Sequence, residues 1–116
     1  MKKLLIPVVS VLAFAACATM APVPNERLAA SQASLRGAQE AGAESDPQAR
    51  LHLKIAADEL EQAQQAVASK HNEEAARLLD RSKADAELAI GLARKARAQA
   101  EAQAAAAQAQ TFKTAP

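Results

Sequence analysis

The sequence predicts an all-α fold, a short up-down-up arrangement of three helices in which a long C-terminal helix overhangs its partners. Three observations support this fold class. Alanine is by far the commonest residue, and aromatic residues make up only 2% of the chain. Apolar residues recur at alternating spacings of three and four, which is the period of an amphipathic helix. Finally, chain breakers divide this pattern into three segments: Pro22, Pro24, Gly42 and Pro47.

The first predicted helix follows a tether. Residues 17–25 contain Pro22 and Pro24, whose fixed φ and missing amide protons favour an extended backbone. Asn25 is the predicted N-cap, because its side-chain oxygen can accept a hydrogen bond from a free amide of the first turn. The helix is expected over residues 26–41, and Gly42 is its natural stop.

The second predicted helix begins at Pro47, with Asp46 as its N-cap. Proline suits the first helical position because the amide it lacks would have no intrahelical partner there. The pattern falters at residues 69–72, where Asn72 is the predicted cap of the next helix, so a tight helical hairpin is expected. One stripe of the second helix carries the apolar residues Leu53, Ala56, Leu60, Ala63 and Val67.

The third predicted helix runs from Glu73 to about Gln108, roughly 54 Å at 1.5 Å per residue, against about 36 Å for the second. It must therefore project beyond the loop at residues 42–47. Residues 26–97 form the predicted helical domain, and residues 98–116 an Ala/Gln-rich helical extension with a disordered tail from Thr111. The core stripe of this helix carries Ala75, Leu79, Ser82, Ala86, Ala89, Ala93 and Ala96.

The polar residues predict no catalytic, cofactor-binding or metal-binding site. His52 and His71 are about 28 Å apart at helical rise, too far to share a metal ion, and both are expected at the surface. Glu59 and Glu61 are interpreted as solvated charges. Gly91 is interpreted as a close-packing point. The outer faces carry four predicted ion pairs one helical turn apart: Glu73–Arg77, Arg81–Asp85, Lys83–Glu87 and Arg97–Glu101.

Charge and core size bear on the partners. The chain has 14 basic and 13 acidic residues, a balance that argues against nucleic-acid binding. Large aliphatic residues are few, so a lone domain would be marginally stable. Self-association into a homo-oligomer, or binding to another protein, would add the burial that this core lacks.

The N-terminus has the three parts of an export signal. Lys2 and Lys3 supply positive charge, 13 residues from Leu4 to Ala16 supply a mostly apolar segment, and Cys17, the single cysteine, follows small residues. This pattern resembles the signal of bacterial lipoproteins. The resemblance implies cleavage after residue 16, acyl chains such as palmitate on Cys17, and a membrane partner held through that lipid anchor.

Two other interpretations of this segment remain. An ordinary secretory signal could be cut after Ala15 or after Ala18, which would leave Cys17 as a free thiol or remove it. An uncleaved membrane span is disfavoured, because 13 residues fall short of the roughly 20 that a bilayer requires and Pro7 interrupts them. Lipidation is preferred since it accounts for a cysteine that has no partner in an oxidising compartment.

Residues 28–95 resemble the small lipoproteins of domain-of-unknown-function family 4398, most closely over residues 85–89. The resemblance implies an envelope lipoprotein without an assigned activity. The preferred hypothesis is a non-enzymatic outer-membrane lipoprotein that faces the periplasm. Its helical bundle or coiled coil would act as a spacer or adaptor for other envelope components, with an envelope protein of unknown identity as the expected partner.

Two alternatives to this function stay open. One is a structural lipoprotein linked to peptidoglycan, which resembles the major outer-membrane lipoprotein of enteric bacteria. That family attaches through a terminal lysine, whereas Lys113 here is followed by three more residues. The other is a soluble secreted adaptor, if Cys17 is not lipidated.

Overall fold

The computed structural model describes residues 20–114, and three α-helices and one short 3₁₀ turn account for most of them. Helix α1 is Asn25–Glu40, the 3₁₀ turn is Ala43–Ser45, α2 is Pro47–Ala68 and α3 is Asn72–Thr114. No strand occurs in this part of the chain. The predicted all-α class, with a long C-terminal helix, is confirmed.

The start of α1 differs from the prediction. Asn25 is already the first helical residue, and Pro24 holds the capping position without any side-chain cap. The backbone amide of Asn25 donates to the carbonyl of Val23 at 2.9 Å. The prediction of Asn25 as N-cap was therefore wrong, because a capping side chain must stand outside the helix, where it can turn back onto free amides.

The connection from α1 to α2 agrees with its sequence signals. Gly42 has a φ of 82°, in the left-handed region where a residue without Cβ carries no steric penalty. Asp46 is the N-cap of α2, and its Oδ1 accepts a hydrogen bond from the Ala49 amide at 2.8 Å. Pro47 fills the first helical position. The predicted Asp-Pro start of α2 is confirmed.

The turn between α2 and α3 is a Schellman motif. Lys70 has a φ of 62°, and its amide donates to the Val67 carbonyl at 2.9 Å. The amide of His71 donates to the Ala66 carbonyl at 2.8 Å. These two bonds satisfy carbonyls that the end of a helix leaves free, and they turn the chain sharply enough for α3 to run back along α2.

The core is built mostly from alanine, and α3 lies at its centre. Helix α1 and helix α2 each pack chiefly against α3 and touch one another little. Leu79, which is 1% exposed, is the largest of the fully buried side chains in the described part of the chain. Small side chains let the backbones approach closely, so this core gains from contact density more than from bulk.

The predicted stripe of α3 is confirmed from Ala75 to Ala93, whereas that of α2 is partly wrong. Helix α2 buries Glu59 and Ala66, while Leu60 and Val67 remain half-buried. Each buried residue directly precedes the apolar residue chosen from the sequence. Helix α2 is therefore turned slightly about its axis, so that one flank of the expected stripe faces α3.

The close approach of two helices at a glycine occurs at Gly37 and not at the predicted Gly91. A Cβ placed on Gly37 of α1 would lie 3.4 Å from Cδ1 of Ile90 on α3, whereas a Cβ on Gly91 would meet nothing within 4 Å. Gly91 is thus not the predicted close-packing point. The tight approach occurs at Gly37, where α1 crosses α3.

The far end of α3 extends beyond the other helices. The helix continues to Thr114, past the predicted end near Gln108, and every residue from 97 to 114 is exposed. Residues 111–114, expected in a disordered tail, are helical, while residues 115 and 116 lie outside the described part. None of the helices in this structure is both long and apolar enough to cross a bilayer.

Candidate functional site

The predicted lipid-attachment residue, Cys17, lies outside the described residues. What the structure does describe is the place where the tether joins the helices. The side-chain amide of Asn72 donates a hydrogen bond to the backbone carbonyl of Ala21. Asn72 is the first residue of α3 and is 7% exposed. The tether is therefore held against the turn between α2 and α3.

This contact also corrects the predicted role of Asn72 as a cap. Because Asn72 is already helical, the carbonyl of His71, one residue earlier, accepts the first α3 bond, from the Ala75 amide at 3.0 Å. The Asn72 side chain is thereby free to point at the tether. A second link lies nearby, where Arg27 of α1 forms an ion pair with Asp80 of α3. Both side chains are more than half exposed, so the pair adds little stability.

A chain of hydrogen bonds crosses the middle of the bundle. The Ser82 hydroxyl donates to the Ala56 carbonyl of α2 at 2.7 Å, and its oxygen lies 2.7 Å from the Ser31 hydroxyl of α1. Ser31 and Ser82 are completely buried. Because a buried hydroxyl without a partner is destabilising, these bonds favour one alignment of the three helices over slipped ones.

The α2–α3 interface also contains a buried carboxylate that the sequence analysis interpreted as solvated. Glu59 of α2 is 4% exposed, so that interpretation was wrong. Arg81 of α3 places Nη2 2.6 Å from Oε1 of Glu59. The approach lacks hydrogen-bond alignment, and both Glu59 oxygens remain without a hydrogen-bond donor in the described structure. The ion pair therefore compensates the burial only in part.

Asp85 and His52 extend this cluster along the same interface. Nδ1 of His52 lies 2.7 Å from Oδ1 of Asp85, and about a quarter of each side chain is exposed. His52 is therefore a half-buried partner of α3 and not the surface residue that was predicted. We call Glu59, Arg81, Asp85 and His52 the interface cluster.

The interface cluster also replaces one predicted ion pair. Arg81 and Asp85 were expected to pair with each other along α3, but each instead binds a residue of α2. Two of the other surface pairs are confirmed. Lys83 lies 3.6 Å from Glu87, and Arg97 lies 2.9 Å from Glu101. Contacts between helices thus take precedence over contacts within a helix where the two compete.

The electrostatics of the cluster centre on Glu59. Burial raises the pKa of its carboxyl above the usual value of 4.5, the nearby Arg81 charge opposes that shift, and Asp85 adds to it both as a negative charge and as a hydrogen-bond acceptor. A raised carboxyl pKa means that the folded state favours the protonated form. The Glu59 carboxyl therefore binds a proton more tightly in the folded protein than in the unfolded chain.

The cluster does not have the geometry of a metal centre. Within residues 20–114, no group of three His, Cys, Asp or Glu side chains is arranged to hold a metal ion. The other histidine, His71, lies at the α2–α3 turn, with Nδ1 3.8 Å from a Glu74 oxygen. The two histidines thus belong to separate contacts.

The last structural feature is the exposed part of α3, residues 97–114, which we call the overhang. It begins where the loop between α1 and α2 reaches α3, since Ala41 and Gly42 border the same surface groove as Ala93 and Arg97. At about 1.5 Å per residue the overhang extends roughly 27 Å. The tether and the overhang therefore lie at opposite ends of α3.

A family model for a domain of unknown function, DUF4398, matches residues 26–111. The match takes in all three helices and most of the overhang. The chain belongs to this family. The resemblance seen over residues 28–95 is thereby confirmed, and the family's region extends further along α3. Neither a curated protein nor a solved structure matches the chain.

The residues that sequence reasoning missed are those of the interface cluster. One signal for Glu59 was present, because it lies three residues after Ala56 and four before Ala63, spacings that fit the core stripe as well as those of Leu60 do. Hydrophobicity favoured Leu60. The DUF4398 region thus contains a buried acidic residue. Its spacing fits the buried stripe of α2, but a glutamate is not expected in a buried stripe.

Proposed function

We propose that this protein is a non-enzymatic lipoprotein of the bacterial outer membrane, anchored through acyl chains on Cys17 and facing the periplasm. Its helices act as a spacer or adaptor in the cell envelope. The observation that carries the proposal is that the two ends of α3 differ. The tether contacts the first residue of this helix, and the overhang lies at its other end.

The length of the tether supports this arrangement. Only four peptide steps separate Cys17 from Ala21, and even a fully extended chain covers at most about 14 Å over that distance. The carbonyl of Ala21 is bound by Asn72 at the α2–α3 turn. A lipid on Cys17 would therefore hold this turn close to the membrane surface.

The overhang supports the spacer role. From Asn72 to Thr114, α3 spans roughly 64 Å at 1.5 Å per residue. Alanine and glutamine dominate the overhang, and alanine has the highest helix propensity, so the helix can persist without burying a face. A rigid helix that starts near the membrane could hold its exposed end at a distance from the membrane surface.

Intact-mass measurement of the protein extracted from membranes tests the anchor. We expect a chain that begins at Cys17 and carries three acyl groups. The Cys17→Ala variant should lack the acyl mass and be absent from the outer membrane, because there is no sulfur to acylate. Thr19→Ala, two residues away, is the matched control and should keep the wild-type acyl mass and location.

Other outcomes would favour the alternatives. A soluble product beginning at Ala16 or Thr19 would contradict lipid anchoring and favour a secreted adaptor. Digestion of the cell wall with a muramidase tests the wall-linked alternative. A peptidoglycan fragment attached to Lys113 would replace the free spacer with a structural link to the wall.

A further inference from the structure

Glu59 is a carboxylic acid buried between α2 and α3. The proposed spacer role does not account for a buried carboxyl group at this interface. Its side chain is 5% exposed, while that of its cationic neighbour Arg81 is 69% exposed. The guanidinium can therefore remain hydrated while the carboxylate loses its water. An ion pair of this kind recovers less than the full cost of burying the carboxylate.

The charged groups that act on Glu59 come from α3. Arg81 and Asp85 face it from α3, and Asp85 is in turn bound by His52 of α2. Helix α1 contributes the uncharged Ser31 hydroxyl to the neighbouring hydrogen-bond chain, and none of its charged residues acts on Glu59. Two carboxylates thus act on each other, Glu59 paired with the permanent cation of Arg81 and Asp85 paired with His52, and like charges in one site disfavour the second ionisation.

We propose that the packing of α2 against α3 is pH-sensitive and becomes more stable in acid. We call this pH-sensitive contact around Glu59 the clasp. As the pH falls from neutral, the Glu59 carboxyl takes up a proton, its repulsion of Asp85 disappears, and the protonated oxygen can donate a hydrogen bond to Asp85. Acidification therefore strengthens the contact between α2 and α3 at Glu59.

Proton binding to Glu59 is linked to folding. The folded pKa of Glu59 lies above its ordinary value of 4.5, so its stabilising contribution is complete below pH 4.5 and is lost as the pH rises through the folded pKa. Most acidic residues with folded-state partners behave in the opposite way. Each unit of upward shift corresponds to about a tenfold increase in the folding equilibrium constant at low pH.

Urea unfolding of the full-length protein at pH 7, 6 and 5 tests the clasp. The Glu59→Gln variant mimics the protonated state. We expect it to exceed the wild type in midpoint urea concentration at pH 7, and we expect this difference to narrow as the pH falls to 5. The matched control is Glu61→Gln, an exposed glutamate on the same helix, which should follow the wild-type pH dependence throughout.

A direct titration keeps the test informative if the Glu59→Gln variant folds poorly. With ¹³C-labelled glutamate, one carboxyl resonance should titrate above pH 4.5 and be missing from the variant. In Asp85→Asn its midpoint should move down, because the negative neighbour is gone. A gap between wild type and Glu59→Gln that stays constant from pH 7 to 5, or a Glu59 resonance that titrates at or below 4.5, would overturn the clasp. Neither readout depends on the lipid anchor, so the clasp and the proposed function fail separately.

Discussion

Replacing Leu79 with alanine is expected to lower the free energy of unfolding by about 2–5 kcal/mol, the usual loss when a buried leucine is cut to alanine. Leu79 is 1% exposed and is the largest fully buried side chain in the described helices. Thermal and urea unfolding, followed by circular dichroism at 222 nm, measure the loss.

Leu88→Ala is the matched control for this substitution. Leu88 lies on the same helix, and 46% of it is exposed. The control removes the same atoms, yet we expect it to lower the free energy of unfolding by about 1 kcal/mol or less, because little apolar surface leaves water at this position. Equal losses in the two variants would show that Leu79 is not a core residue.

Enlarging a core alanine is expected to have the second largest effect. Ala86 of α3 is completely buried and belongs to the same apolar cluster as Ala56 of α2 and Leu35 of α1. Ala86→Leu forces a branched side chain between helices that pack on small residues. Overpacking of this kind typically lowers the free energy of unfolding by about 1–3 kcal/mol. The expected result is a lower unfolding midpoint, with weakened protection of α1 amides from hydrogen exchange.

Ala84→Leu separates packing from helix propensity. Ala84 is exposed on the same helix, two residues away, and leucine is nearly as good a helix former as alanine. We expect its unfolding free energy to stay within about 0.5 kcal/mol of the wild type. If Ala86→Leu also left the unfolding free energy unchanged, the helices would not pack closely around Ala86.

Local signals in the sequence predicted the connections well. Gly42 and Asp46–Pro47 were placed correctly because the left-handed turn and the helix cap depend on residues within one turn of each other. Asn25 shows the limit of such reasoning. An asparagine near a helix start can stand outside the helix or inside its first turn, and only the path of the preceding prolines decides between them.

The interface cluster could not be predicted in the same way. Glu59 and Leu60 both fit the period of α2, and the structure buries the glutamate because α2 turns one flank toward α3. The partner of Asp85 was misassigned for a related reason. Arg81 lies one turn away on the same helix, but His52 of α2 meets Asp85 across the interface. Both outcomes depend on how two helices pack, which neither helix specifies alone.

In the proposed function, the α2–α3 turn of this member of the DUF4398 family lies at the membrane surface and the overhang projects away from it. Two exposed positions report on the two ends, Ser69 in the turn and Gln108 in the overhang. Between Asn72 and Gln108, α3 covers roughly 54 Å at helical rise. That distance is large enough to distinguish a standing rod from helices that lie flat.

Fluorescence quenching in lipid vesicles tests this claim most directly. Lipidated protein with a dye on Ser69→Cys or Gln108→Cys is reconstituted with lipids whose headgroups carry a quencher, and Cys17→Ala protein serves as the unanchored control. We expect strong quenching at position 69, little at position 108, and none at either position without the anchor. Equal quenching at the two positions, or stronger quenching at 108, would contradict a spacer that stands on its α2–α3 turn.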